Sequence, residues 1–243
     1  MGFKFNDKHS EDFKICVRTE SIPYIAPKRQ TVVEVFGRDG QYVFEDGYDN
    51  ISIELACSIV NDSLVDRRAT ARQIALWLAN TGKLIFDYEP TIEYQVVKVV
   101  NDIKGVFRGY ALPVDDFNVT FECKPYQEQV AYNPIEDRIF YPSAGETLNV
   151  PNNGTYKALP IICLTGGATS VTIGGFTFAG LNGTVYIDCN DKVVYNTSGS
   201  SKVNRMTSFS GNFPQLNPGI NSFLVSGTIT TLRVEFIYKN TYL

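Results

Sequence analysis

Few residues in this 243-residue chain carry chemistry, and their spacing limits what that chemistry is. His9 is the single histidine. A Ser-His-Asp or Cys-His nucleophile system would have to draw on it, and no partner lies near it in sequence. It reads as a surface residue. The five cysteines, Cys16, Cys57, Cys123, Cys163 and Cys189, contain no Cys-x-x-Cys pair and sit in apolar or strand-like surroundings. That pattern fits buried free thiols in a reducing compartment. A zinc site needs soft ligands at closer spacing. Glu45-Asp-Gly-Tyr-Asp49 lacks the alternating acids and terminal Glu of a calcium loop, so it reads as a solvated turn. Asp115 and Asp116 are adjacent in an extended segment and point opposite ways, which suits them poorly to work as a catalytic pair. Thr165-Gly166-Gly167 and Gly174-Gly175 look like phosphate loops, but neither leads into a helix, so both read as turns. Arg67, Arg68 and Arg72 crowd a helix start, where cations oppose the dipole. Two readings stay open for them: a solvated face, or contact with an acidic partner. The residues taken together predict no catalytic site, no metal and no cofactor.

The element that must organise the rest is residues 66–80, the one substantial helix the chain predicts. Asp66 is the expected N-cap and Gly82 the expected left-handed stop. Ala71, Ile74, Ala75 and Leu78 share one face, and Trp77 widens it, so Ile74, Trp77 and Leu78 are predicted core. Arg67, Arg68, Arg72 and Gln73 fall mostly off that stripe. A helix with one apolar stripe needs a sheet to lie on. Strands are expected at 3–6, 13–18, 30–36, 41–44, 50–60, 83–88, 93–100, 106–110 and 118–123. Gly37, Asp39 and Gly40 make a hairpin turn between two of them, and Asp46–Gly47 another turn. In 50–60 the alternation puts Ile51, Ile53, Leu55, Cys57 and Ile59 on one face.

From 124 to 151 prolines and glycines interrupt the pattern, and a domain junction is expected there. Beyond it come short strands at 159–164, 170–173, 176–178, 184–188, 192–195, 222–225 and 230–238, with Asn190–Asp191 as a hairpin turn. That spacing predicts an antiparallel sandwich. Charge divides the same way. Residues 1–132 hold 15 Lys and Arg against 20 Asp and Glu, a net of −5, while residues 133–243 hold 7 against 6. The fold class is therefore mainly β in two domains: a β-rich α+β domain with one main helix at 1–132, and an antiparallel sandwich at 133–243. A net charge of −4 argues against sequence-independent nucleic-acid binding. No apolar run approaches the ~20 residues of a membrane span. The first residues show no secretory leader.

The order of several segments resembles a known family. Val35-Phe-Gly-Arg-Asp-Gly-Gln-Tyr42, the Trp-Leu helix at 74–78 and Lys83-Leu-Ile-Phe-Asp87 followed by Tyr94 resemble the N-terminal domain of distal tail proteins of siphophages and prophages of Gram-positive bacteria. Asn152-Asn-Gly-Thr-Tyr-Lys-Ala-Leu-Pro160, Val171-Thr-Ile173, Val185-Tyr-Ile-Asp188, Val193-Val-Tyr195 and Phe213-Pro-Gln-Leu-Asn-Pro-Gly-Ile-Asn221 follow in that family's order. The resemblance implies a structural hub of the tail tip. The N-terminal domain would form a hexameric ring below the major tail tube protein, and the C-terminal domain would be a galectin-like sandwich projecting outward. Partners would be the tube protein, the tail-tip or baseplate protein and, in some members, receptor-binding proteins. DNA would pass through the lumen unread, and no membrane is involved. The location implied is the virion tail tip, assembled in the host bacterial cytoplasm. The alternative is a carbohydrate-binding module or adhesin acting through the C-terminal sandwich. Against it, residues 133–243 contain no Trp and no His, and Arg205 and Arg233 are far apart in sequence.

Overall fold

The computed structural model describes residues 2–60, 63–100, 105–107, 114–134 and 138–243. The chain divides into two compact units, Met1–Val130 and Ala131–Tyr242. It is mainly β, with one α-helix among the described residues, which is the expected class.

In the first unit, alternating apolar residues build a single sheet. Its strands are β1 (Phe3–Phe5), β2 (Lys8–His9), β3 (Ile15–Ser21), β6 (Ile51–Val60), β7 (Gly82–Phe86), β8 (Ile92–Val99) and β10 (Val114–Gln129). They lie in the order β2-β1-β7-β8-β10-β6-β3, with β9 (Gly105–Phe107) beside the start of β10. Of the strand expected at 106–110, residues 108–110 lie outside the described residues. Val119 of β10 pairs with Leu55 of β6, and Phe121 with Ile53. Every second residue of both strands therefore faces the same core, and these four are at most 1% exposed. β4 (Lys28–Glu34) and β5 (Gln41–Tyr48) stand outside this sheet as a separate two-stranded ribbon.

Helix α1 (Leu64–Leu78) covers the core, but its ends and its inner face differ from the sequence reading. Ser63 is the N-cap, accepting from the Asp66 N–H, so the helix starts one turn earlier. It ends at Ala79 in right-handed conformation, and Gly82 is already the first residue of β7. Gly82 is needed for a different reason: a Cβ there would come within 1.7 Å of Asn6 Oδ1. That oxygen accepts from the Lys83 N–H, clamping β1 to β7. The buried stripe runs through Arg67, Ile74, Trp77 and Leu78, while Ala75 is exposed. Arg67 takes a place in the stripe that charge alone would assign to solvent.

The second unit is built on three long strands. β11 (Ile139–Phe140) and β12 (Thr147–Asn152) precede β13 (Ile161–Ile173), β14 (Phe176–Asp188), β15 (Val193–Ser198), β16 (Ser201–Asn204), β17 (Phe209–Gly211) and β18 (Gly219–Ile237). The sheet order is β11-β18-β13-β14-β15-β16, with β12 on the first part of β18 and β17 on the first part of β14. The short strands expected from the sequence fuse in pairs. Thr165-Gly166-Gly167 is not a turn but the middle of β13, opposite Thr184, Gly183 and Asn182. A bulge follows at Gly167–Ser170 against β18. Glycines at mid-strand let these long strands bend and approach their neighbours closely. Gly174–Gly175 does form the β13–β14 turn. Asp188 Oδ1 accepts from Asn190 and Asp191 N–H groups to close the β14–β15 turn. Ile162, Leu164, Val171, Phe178, Val185, Val234 and Phe236 are fully buried and share one core.

The segment Phe213–Asn221 earns its residue types locally. Leu216 is fully buried and exchanges both backbone bonds with Ala158 at 2.9 Å. Asn221 bonds the backbone of Asn217 on both sides. Asn152 donates to the carbonyls of Tyr156 and Leu216 and accepts from Gly154 N–H, so it organises the loop after β12.

Candidate functional site

The ribbon β4–β5 is the part of the first unit that the core does not account for. Its root is fixed: Ala26 is buried, Tyr48 packs on the core, and Asp49 N–H donates to Pro27 O at 2.8 Å. Next to the root Lys28 faces Tyr48, whereas Gln30 faces Glu45. Asp46–Gly47, expected as a turn, is thus a bulge inside β5. Arg29 takes up the Asp46 carbonyl that the ladder leaves free, through Nε at 3.0 Å and Nη2 at 2.9 Å. Glu45–Tyr48 of the acidic cluster is likewise strand and not a solvated turn, with Asp49 just beyond the strand's end. Lys28 Nζ lies 2.8 Å from Glu45, and that hydrogen bond holds Glu45 below and Lys28 above their usual ranges. Both groups are solvent-exposed, so the pair sets register more than it stabilises.

At the far end a six-residue loop joins the strands. Arg38 N–H donates to Val35 O at 3.1 Å, so the tight turn is centred on Phe36–Gly37, with Gly37 at φ +78°. Asp39 and Gly40, read from the sequence as the hairpin turn, complete the loop, with Gly40 at φ +86°. Directly opposed residues share a face. Val33 and Tyr42, with Thr31 and Phe44, lie on one face, and Val32 and Val43 on the other. All of them are exposed, Phe44 to 59% and Phe36 completely. A lone two-stranded ribbon is marginally stable in water. One that shows apolar side chains on both faces is a surface made to be covered by protein.

The other candidates fall elsewhere. Ile74, Trp77 and Leu78 are 4%, 6% and 2% exposed and lie in the first core. Trp77 stacks on Phe13 at 4.6 Å and on Phe3 at 5.5 Å, and its Nε1 donates to Phe5 O at 2.9 Å. His9 is a structural cap and not simply a surface residue. Its Nδ1 accepts from Glu11 N–H, which leaves Nε2 to donate to Asp87 Oδ1 at 2.8 Å. Asp115 and Asp116 go opposite ways, Asp115 to Arg67 at 3.3 Å and Asp116 to Ser58 Oγ at 2.7 Å and Arg18 at 3.5 Å. Arg67, expected mostly on a solvated face, is 1% exposed because Asp115 gives it a buried partner. Cys57, Cys123 and Cys189 are buried thiols pushed up to about 12 by burial. Cys16 departs from the expected burial: it points outward on β3 between buried Ile15 and Val17. No three His, Cys, Asp or Glu side chains among the described residues gather to hold a metal. No described helix is long and apolar enough to cross a membrane.

Sequence reasoning found both strands of the ribbon but placed them in the sheet. The available signal was consecutive apolar residues, Val32-Val33 and Tyr42-Val43-Phe44, in place of alternation. Such a run marks apolarity on both faces but does not say what covers them.

Residues 8–123 match the family described as phage tail protein RIFT-related domain. The match covers most of the first unit. Its span begins at β2 and ends within β10, so the ribbon lies inside the tail domain. The whole chain shares the fold of the SPP1 Dit (gp 19.1) protein, a paradigm of the hub adsorption apparatus in Gram-positive infecting phages. Identity is 12% and the TM-score 0.78, over 100% of this chain and 99% of that one. A chain of the phage p2 baseplate, in its activated conformation with Sr, aligns at 10% identity with a TM-score of 0.49, over 98% and 97% of the two chains. No curated protein sequence matches. The resemblance to siphophage distal tail proteins read from the residues is met by the family match over residues 8–123 and by the fold of the chain.

Proposed function

We propose that this protein is a structural hub of a siphophage tail tip, with no catalytic role. The tail domain builds a closed homo-oligomeric ring, a hexamer, and the ring joins the major tail tube protein to the tail-tip or baseplate protein and supports host adsorption. It is assembled in the host cytoplasm into the virion, and DNA passes through the lumen without specific contacts. The observation that carries the ring is the β4–β5 ribbon. It is anchored firmly at its root, yet its apolar residues on both faces stay exposed and the ribbon pairs with no other described strand of its domain. A ribbon that seats on a different surface of the next copy makes a head-to-tail contact, and such contacts close into rings when the rotation allows.

The test is electron microscopy and native mass spectrometry of the full chain, beside a variant with Val33, Tyr42 and Phe44 all changed to Ser. Six-fold rings in the first and monomers in the second are expected. A wild-type chain that stays monomeric even with its tube and tip proteins present would overturn the ring.

A further inference from the structure

The outer face of α1 carries a row of side chains that the packing of the first unit does not explain. Val65, Arg68, Arg72 and Leu76 follow at steps of three and four residues, so they line up along one side of the helix. All four are exposed, Val65 to 76% and Leu76 to 75%. Arg68 lies near the helix N-terminus, where a cation opposes the dipole, and Arg72 one turn further on adds a like charge. Asp66, the one acid of the helix, stands one turn from neither. The row is therefore not arranged for the helix itself. Two arginines framed by exposed aliphatic side chains suit a surface that is acidic and apolar together. The ribbon loop has that character. Phe36 is completely exposed and Val35 to 46%. Together with Glu34, Arg38 and Asp39 they line an open hollow of about 790 Å³. The Glu34 and Asp39 side chains are exposed, while the Arg38 guanidinium lies over the Tyr42 ring at 5.2 Å. Two carboxylates and two apolar side chains thus stand beside one cation that is already engaged.

We infer that the ribbon loop of one copy seats on the outer face of α1 of the next copy. This rests on the ring reading and names the surface that the ribbon meets. A head-to-tail contact needs two different patches of one chain that complement each other. The loop and the helix row are such a pair: Phe36 and Val35 match Leu76 and Val65, and Glu34 and Asp39 match Arg68 and Arg72. The guanidinium fork donates to a carboxylate in plane, which makes arginine the cation suited to such a contact. The wider charge agrees, since residues 1–132 hold 20 Asp and Glu against 15 Lys and Arg, so a second copy offers acid to a basic row. A nucleic-acid backbone would use the arginines alone, because phosphate contacts have no need of the two aliphatic side chains.

The experiment measures self-association of the full chain by sedimentation velocity across concentration and salt, with tube and tip proteins added where assembly needs them. A helix variant carries Arg68→Glu and Arg72→Glu, and a loop variant carries Glu34→Arg and Asp39→Arg. Each is expected to weaken assembly about ten-fold or more, because like charges then face each other across the contact. The melting temperature of the unassembled chain is expected to hold, since all four positions are exposed. Both sets in one chain are expected to restore most of the lost association, which a merely damaged surface would not do. A helix variant that assembles as wild type overturns the seat and leaves the ring standing. So does a combined variant no better than either set alone. A helix variant that keeps self-association but loses the tube protein or DNA assigns the face to that partner and also overturns the seat. A wild-type chain that never associates, alone or with tube and tip proteins, overturns the ring reading itself and the seat with it.

Discussion

Trp77 shows how much of one domain a single side chain can hold. It is 6% exposed, stacked between Phe13 and Phe3, and its indole N–H is satisfied by the Phe5 carbonyl. Trp77→Ala is therefore expected to destabilise the tail domain by ~3–5 kcal/mol, the cost of a cavity left by a large aromatic. Denaturant unfolding measures it, and an unchanged midpoint would show the ring to be dispensable. Arg67 and Asp115 form the other demanding pair, 1% and 9% exposed and 3.3 Å apart. Asp115→Ala leaves a guanidinium buried with one carboxylate fewer, so a loss of about 3–5 kcal/mol is expected. Replacing both partners at once with Met and Val is expected to recover much of that loss, because the desolvation cost of the ions disappears with them. Unfolding of the single and double variants tests this, and a double variant worse than the single would show that the pair's shape matters more than its charge. Ile74, Trp77 and Leu78 are legible in sequence because helical spacing names a face. Arg67 is not, because a carboxylate that helps turn this surface-type residue into a buried one lies 48 positions away.

At the scale of elements, local pattern was a sound guide to which segments are regular and a poor one to where they stop. The alternation of β6 reads directly, since Ile51, Ile53, Leu55, Cys57 and Ile59 all face one core. The long strands of the second unit do not. Glycine normally breaks a strand, yet Gly166 lies in the middle of β13 because a neighbour comes too close for any other residue. It sits at φ +145°, and a Cβ there would stand 2.1 Å from Thr231 O on β18. Gly167 has open space around it. Gly166→Ala is expected to cost about 1–3 kcal/mol by forcing β13 and β18 apart, whereas Gly167→Ala is expected to change stability by less than about 0.5 kcal/mol. Thermal melts of the two variants separate the roles of adjacent glycines, and equal effects would show that the close approach to Thr231 is not the constraint. The ribbon is the converse case: its strands are legible, but its separation from the sheet depends on pairing, which single-strand periodicity does not encode.

For the whole molecule, the proposed hub role raises the question of what the second unit recognises. A β-sandwich invites a lectin reading, and fold alone does not carry that function. Sugar sites need an aromatic face free to stack on a pyranose ring. Tyr238 is 2% exposed and its hydroxyl donates to the Pro151 carbonyl, so it belongs to the core. Tyr186 and Tyr195 are outward on β14 and β15, but they stack on each other at 5.4 Å, and Lys202 lies over Tyr195 at 4.2 Å. The faces of Tyr186 and Tyr195 turned to each other are thus engaged within the unit, and an ammonium covers Tyr195. Tyr156 is tied by its backbone to Thr241 and has the Lys157 ammonium 5.8 Å from its ring centre. Arg233 is directed along β18 to Glu235 at 3.2 Å. We therefore expect the second unit to serve protein contacts and the full chain to bind no host wall saccharide. Calorimetric titration with wall polysaccharide from a susceptible host is expected to give no saturable heat. A dissociation constant tighter than about 1 mM, roughly −4 kcal/mol, would mean that the Tyr186–Tyr195 stack opens for a sugar and would restore the adhesin alternative. Tyr195→Ala distinguishes the two even for weak binding: it abolishes a saccharide signal that uses this platform and leaves ring assembly by the tail domain unchanged.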